Sequence, residues 1–150
     1  MVCMGNLCRS PMAVSCAIEL AREMNLSKVL QFDSAGVSRG HAGAKIDPRA
    51  SAALVRRGRK PATTRARQIQ LRDFERFDLI LAMDSRNLAD LERTCPQEHR
   101  HKLKLLLDYA ETVEDSDIPD PYYGSPEGFE RALDLCEAGA RGLLQALTRA

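Results

Sequence analysis

Met1-Val2-Cys3-Met4-Gly5-Asn6-Leu7-Cys8-Arg9-Ser10-Pro11 is the stretch from which the fold is read. Met1 to Cys3 reads as the end of a strand, and a short loop follows. Ser10 reads as the N-cap of a helix, with Pro11 as its first residue, where a missing N–H costs nothing. Strand, loop and helix in that order aim the amides of a tight turn and of a first helical turn at one point, which is how backbone binds an anion. Arg9 adds a planar fork that grips two phosphate oxygens. The same positive surroundings favour the thiolate, the form in which a cysteine such as Cys3 reacts. These residue types describe a loop that binds a phosphate ester and attacks it.

Outward from that loop, strands and helices alternate. Pro11 to Met24 repeats apolar residues at helical spacing through Ala13, Ala17, Leu20 and Met24. Val29 to Phe32 reads as a short strand, and the glycine-rich stretch from Gly36 to Gly43 as a loop. Asp47 caps a helix that opens on Pro48 and runs to about Arg57, where Gly58 stops it. Phe77 to Met83 is a nearly continuous apolar run, as in a strand covered on both faces. Asp84 caps the next helix, through Leu88 and Leu91. Leu103 to Leu107 is another buried-type strand. Glu127 to Thr148 is a long amphipathic helix that turns Phe129, Leu133, Cys136, Ala140, Leu143, Leu144 and Leu147 to one side. The alternation predicts an α/β fold with a parallel sheet. Ligands bind beyond the carboxyl ends of such strands, and Cys3 stands at one.

Bulk properties narrow the class. A chain of 150 residues is one domain, large enough for a real core. A net charge of +1 implies neither nucleic acid nor an anionic membrane as partner, and no apolar run reaches the length of a membrane span. No signal peptide is read, because the chain passes almost at once into the reactive loop. Five cysteines without paired metal spacing argue for reduced thiols, a cytoplasmic location and no metal. His41, His99 and His101 also lack metal spacing. The basic stretch Arg56-Arg57-Gly58-Arg59-Lys60, on to Arg65 and Arg67, reads as solvated surface, or else as a collector of acidic phosphopeptides.

The filled pattern from Val2 to Pro11 resembles the signature of the low-molecular-weight protein tyrosine phosphatases, and Asp120-Pro121-Tyr122-Tyr123-Gly124 resembles its C-terminal half. Between them Asp33-Ser34-Ala35-Gly36, Asp47-Pro48-Arg49, Ala66-Arg67-Gln68-Ile69 and Phe77 to Asp84 follow in the family's order, so the resemblance covers nearly the whole chain. It implies a phosphatase-I-like sheet of four parallel strands in the order 2-1-3-4, flanked by helices, and hydrolysis of protein phosphotyrosine and small aryl phosphates without a cofactor. Phosphotyrosine proteins are the implied partners, and the chain is expected as a monomer or in weak self-association.

The resemblance also distributes roles. Cys3 is the nucleophile that forms a cysteinyl phosphate, and Arg9 holds the equatorial oxygens. Asp120 protonates the departing phenolate, with Asp117 as the second candidate. Met4, Gly5, Asn6, Leu7, Cys8 and Ser10 line the phosphate and substrate site, and Tyr122 and Tyr123 wall it. Asn6 and Ser34 keep the loop in shape. Cys8 is the redox partner, closing a disulfide with Cys3 on oxidation; packing is its other reading. Three departures stand out. Gly40 takes the place of an aromatic wall residue, which His41 beside it replaces in part. Thr64 stands where many members carry histidine. Only Met1 and Val2 precede the nucleophile where the family has several apolar residues, so the first strand reads as truncated, and each missing buried aliphatic side chain is worth about 1.5–3 kcal/mol.

Rival readings differ at named residues. A protein-arginine phosphatase uses a similar loop, but Met4, Leu7, Tyr122 and Tyr123 are larger than that branch carries. A thiol-dependent arsenate reductase needs a resolving cysteine pair, and Cys95 stands alone. A catalytically impaired phosphate-binding module fits the short first strand but not the intact set of Cys3, Arg9 and Asp120.

Overall fold

The computed structural model describes residues 1–150. Four short parallel strands, β1 (Val2–Cys3), β2 (Ala35–Gly36), β3 (Ile80–Ala82) and β4 (Leu103–Leu105), form one sheet in the order β2-β1-β3-β4. Val2 pairs with Ala35 on one side and Ala82 on the other, and Ile80 pairs with Leu103. Five helices cover the sheet: α1 (Arg9–Glu23), α2 (Pro48–Arg56), α3 (Leu71–Arg76), α4 (Ser85–Thr94) and α5 (Pro126–Arg149).

Each strand alternates its side chains between two cores. Cys3, Leu81 and Met83 join the larger one, filled by Met12, Ala13, Cys16 and Leu20 of α1, Leu54 of α2, and Leu133, Cys136, Ala140 and Leu144 of α5. Val2, Ile80, Ala82 and Leu103 face the smaller one with Phe74 of α3 and Leu91 of α4. Small residues let α5 lie close to the 3-10 turn at Leu106–Tyr109. A Cβ at Gly142 would stand 1.8 Å from the Tyr109 carbonyl oxygen, so only glycine fits there.

Several sequence expectations hold. Asp47 caps α2, accepting the Arg49 N–H at 2.8 Å, and Asp84 caps α4 by accepting the Asn87 N–H at 2.7 Å. Gly58 follows α2 at φ +73°, a left-handed position that costs glycine little. Others are corrected. Val29 to Phe32 is not a strand: Val29 and Leu30 donate back to the Leu26 carbonyl in a turn, and β2 is confined to Ala35–Gly36. Its two residues pair with Val2 and Cys3 of β1. Phe77 to Met83 contains only a three-residue strand, and Leu106 and Leu107 leave β4 for the 3-10 turn. Helix α1 begins at Arg9 with Cys8 at its cap, so Ser10 lies inside the first turn.

Within the basic stretch Arg56, Lys60 and Arg65 are exposed, but Arg56, Arg57 and Arg59 are paired with acids. Arg56 and Arg57 both bond Glu130, at 2.7 and 2.8 Å, and Arg57 also reaches Asp134 at 2.7 Å. Arg59 bonds Glu137 at 2.9 Å and lies near Glu19 and Glu23. These arginines tie the end of α2 to α5 and α1. A groove of about 400 Å³ extends the line of β1 between residues 30–34 and 78–81. At its edge the Met1 amino group donates to the Asp33 carbonyl at 3.0 Å.

Candidate active site

The loop between β1 and α1 is shaped by what takes its carbonyls. Val37 N–H donates to Cys3 O, Ser38 N–H to Met4 O, and Asp47 N–H to Leu7 O, at 2.9–3.0 Å. In a planar trans peptide the N–H points opposite to the carbonyl. The N–H groups of Met4, Gly5 and Cys8 are therefore turned away from the flanking segments and into the loop, the arrangement that binds an anion. Gly36 permits the close approach on which this depends, since a Cβ there would lie 2.9 Å from Met4 O and 3.0 Å from Gly5 C.

Asn6 is the hub of the loop. It adopts φ 58°, which asparagine tolerates better than most residues, and it is buried. Its Nδ2 donates to Ser10 Oγ and to Ser34 Oγ, both at 2.8 Å, and its Oδ1 accepts the Arg67 N–H at 3.0 Å. Arg67 is fixed in turn by Asp73 and Asp33. Ser10 Oγ lies 3.1 Å from Cys3 Sγ, in a pair where either atom can donate. The residue expected as a helix cap is instead a hydroxyl facing the candidate nucleophile.

Arg9 is 3 % exposed and anchored at one end of its guanidinium. Its Nη1 donates to Asp84 Oδ2 and, at 2.9 Å, to the Ile118 carbonyl; its Nη2 lies 3.5 Å from Asp120 Oδ2. Burial alone would favour the neutral guanidine, but the hydrogen bond to Asp84 and the nearby Asp120 carboxylate outweigh it and hold Arg9 above the usual arginine range. Asp84 thus serves twice, capping α4 with one oxygen and holding Arg9 with the other. Sequence reading assigned only the cap. The signal for the second role was its place at the end of β3, since ligands gather beyond the carboxyl ends of adjacent parallel strands.

Asp120 is partly exposed and accepts the Tyr122 N–H at 3.1 Å, which closes a tight turn across Pro121. Asp117 is occupied elsewhere: its carboxylate accepts from both the Ser85 N–H and the Ser85 hydroxyl, at 2.8 and 2.6 Å, at the start of α4. The Tyr122 ring stands 5.9 Å from the His41 ring and beneath the Arg49 guanidinium. His41 overlies Gly5, where a Cβ would meet the imidazole at 2.9 Å. Tyr123 corrects an expectation. It is 95 % exposed and packs edge-on against Tyr122 rather than lining a cleft. Met4 is exposed at the rim and Leu7 half-buried, while Cys8 is buried, and desolvation followed by the Asp47 charge pushes its thiol up to about 12. A second groove, lined by Met4, Val37, Ile69, Leu71 and Phe74, opens beside the loop.

Comparison with known proteins places this arrangement. The family model described as low molecular weight phosphotyrosine protein phosphatase matches residues 1–150. A low molecular weight protein-tyrosine-phosphatase of Streptomyces coelicolor is 41% identical over 149 residues, covering 97% of this chain and 90% of that protein. Among solved structures, a protein tyrosine phosphatase from Entamoeba histolytica with Hepes in its active site superposes with a TM-score of 0.95 at 33% identity, over 99% of this chain and 94% of that one. A Drosophila arginine phosphatase also superposes, with a TM-score of 0.86 at 33% identity over 97% and 94% of the two chains. With its family model matched from end to end, the chain belongs to the low molecular weight phosphotyrosine protein phosphatases, a hydrolase family.

Proposed function

We propose that the chain hydrolyses protein phosphotyrosine through a cysteinyl phosphate, with Cys3, Arg9 and Asp120 as the catalytic residues. The observation that carries this reading is the meeting of three segments distant in sequence: the loop from Cys3 to Arg9, Asp84 bracing the buried Arg9, and Asp120 at 3.5 Å from the Arg9 guanidinium.

The reaction runs in two steps. The Cys3 thiolate attacks phosphorus in line, an S–P bond forms, and the bond from phosphorus to the tyrosine oxygen breaks. Loop amides and Arg9 stabilise the charge on the equatorial oxygens. A phenolate leaves poorly because its conjugate acid has a pKa of about 10, so Asp120 gives it a proton. Water then attacks phosphorus, Asp120 takes a proton from it, and the S–P bond breaks to return the thiolate and inorganic phosphate. Met4 and Leu7 border the entrance, and Tyr122 and His41 flank the ring. A compartment that keeps the five thiols reduced suits this chemistry.

A second reading, phosphoarginine hydrolysis by the same residues, draws on the likeness to the Drosophila arginine phosphatase. Turnover of phosphotyrosine and phosphoarginine peptides by the purified chain and by Cys3→Ser separates the two. The expected result is phosphotyrosine turnover that Cys3→Ser abolishes. Preference for phosphoarginine moves the substrate, and turnover that survives Cys3→Ser removes the mechanism.

A further inference from the structure

We propose that Arg49, clamped by Asp47, is a positioning residue for the acid loop: it fixes the Tyr122 ring and thereby sets where Asp120 stands relative to the leaving oxygen. This rests on the phosphatase reading above and adds to it a residue outside the phosphate loop.

The acid loop is a long connection from Ala110 to Ser125 with no regular structure beyond turns. Its hydrogen bonds to the body of the protein lie on the N-terminal side of Asp120. On the N-terminal side Ile118 is fully buried, donates its N–H to Met83 O at 2.9 Å and accepts Arg9 Nη1 on its carbonyl. On the C-terminal side Pro121 to Gly124 bond only among themselves and to Asp120. Pro121 is buried, and two side chains from the body of the protein meet the Tyr122 ring: His41, at 5.9 Å between ring centroids, and Arg49, whose guanidinium lies 5.4 Å from the ring centroid and is the one of the two anchored by an ion pair.

Arg49 is held more firmly than an ordinary surface arginine. Its Nε and Nη2 form a fork on the two oxygens of Asp47 at 3.1 and 2.9 Å, and its other neighbour is the buried Phe129 ring at 4.7 Å. An exposed ion pair is worth little by itself. Here the acid is buried, the contact is bidentate, and two aromatic faces confine the plane. Asp47 also donates its backbone N–H to Leu7 O in the phosphate loop. A continuous path therefore runs from the phosphate loop through Asp47 and Arg49 to the Tyr122 ring, and from the Tyr122 N–H to the Asp120 carboxylate. The nucleophile's loop and the acid's loop share one strut.

A strut of this kind matters most when the leaving group needs a proton. General acid catalysis is worth about 10²–10⁴-fold, and it is sensitive to small misplacement. The test compares the full-length wild type, Arg49→Met and Arg49→Lys on aryl phosphates whose phenols span a range of acidity. In Arg49→Met, kcat/KM on phenyl phosphate and phosphotyrosine is expected to fall by about tenfold or more, and on nitro-substituted phenyl phosphates by much less, because kcat/KM reports the step in which the phenol departs. The dependence of log kcat/KM on leaving-group basicity steepens, while inhibition by inorganic phosphate is unchanged. Arg49→Lys, which keeps the charge but loses the planar fork, recovers part of the loss. Amide hydrogen exchange of Tyr122 to Gly124 is expected to quicken in both variants without a matching change at Asn6 or Leu7. Equal losses across all leaving groups, or unaltered exchange in the acid loop, overturn the role of Arg49 and leave the phosphatase reading intact. A wild type without aryl phosphate turnover overturns both.

Discussion

Asp84 illustrates how much one carboxylate does at this site. It caps α4 and braces the buried Arg9, so its loss is expected to act on stability and, on the proposed reading, on phosphate binding together. Removing one partner of a buried ion pair leaves the other charge uncompensated, typically at a cost of about 3–5 kcal/mol. Asp120 and the Ile118 carbonyl still face Arg9, so Asp84→Asn is expected at the low end of that range. Chemical denaturation and vanadate affinity of Asp84→Asn check this, and both are expected to weaken. A loss of stability with unchanged vanadate affinity reduces Asp84 to a cap. Cys8 makes a separate prediction. Burial pushes its thiol up to about 12; on the proposed reading peroxide is expected to oxidise Cys3, and the sulfenic acid so formed to condense with the Cys8 thiol, releasing water and closing a disulfide. Peroxide inactivation that thiol reverses in the wild type is expected to become largely irreversible in Cys8→Ala, as read by recovered activity and peptide mapping. Equal recovery in both proteins leaves Cys8 a packing residue.

At the scale of elements, β1 carries the greatest consequence for its length, because its last residue is Cys3. The Met1 amino group at its start is pulled from the ordinary 8.0 to about 6 by desolvation, against the opposing pull of Asp33. The folded chain releases that proton before the unfolded chain does. Between about pH 6 and 8 the unfolded state binds more protons, so this group makes stability rise with pH across that window and contributes no slope outside it. The full span is about 3 kcal/mol at most. Four apolar β-branched residues added ahead of Met1 are expected to remove the titrating amine, fill the groove beside residues 30–34 and 78–81, and raise Tm. Thermal unfolding at pH 6 and 8 for both lengths checks it. An unchanged Tm and an unchanged pH slope contradict the assignment of that groove to the line of β1.

Across the whole molecule, what was legible in the sequence was whatever local chemistry determines. The alternation of strands and helices, the Asp47 and Asp84 caps and the phosphate loop follow from patterns a few residues long, and the comparisons place the chain in the family the motifs suggested. Long-range pairing was not legible. Val29 to Phe32 has strand composition, but Val29 and Leu30 close a turn on the Leu26 carbonyl just beyond the end of α1 instead. Helix α3 was missed because six residues with an exposed Leu71 and a buried Asp73 carry no apolar periodicity. The arginines of 56–59 looked free because their partners, Glu130, Asp134 and Glu137, lie more than seventy residues away on α5. The second role of Asp84 was hidden for the same reason, since Arg9 is seventy-five residues distant.

The central claim is that Cys3 becomes phosphorylated on the way to product. Rapid acid quench of the chain turning over a phosphotyrosine peptide, followed by peptide mass spectrometry, reads this directly. The account predicts a transient phosphate on Cys3 that accumulates when Asp120→Ala slows its hydrolysis with an activated aryl phosphate, and that is absent in Cys3→Ser. Turnover with no phosphate trapped on Cys3 under any of these conditions, or with phosphate on another residue, contradicts it.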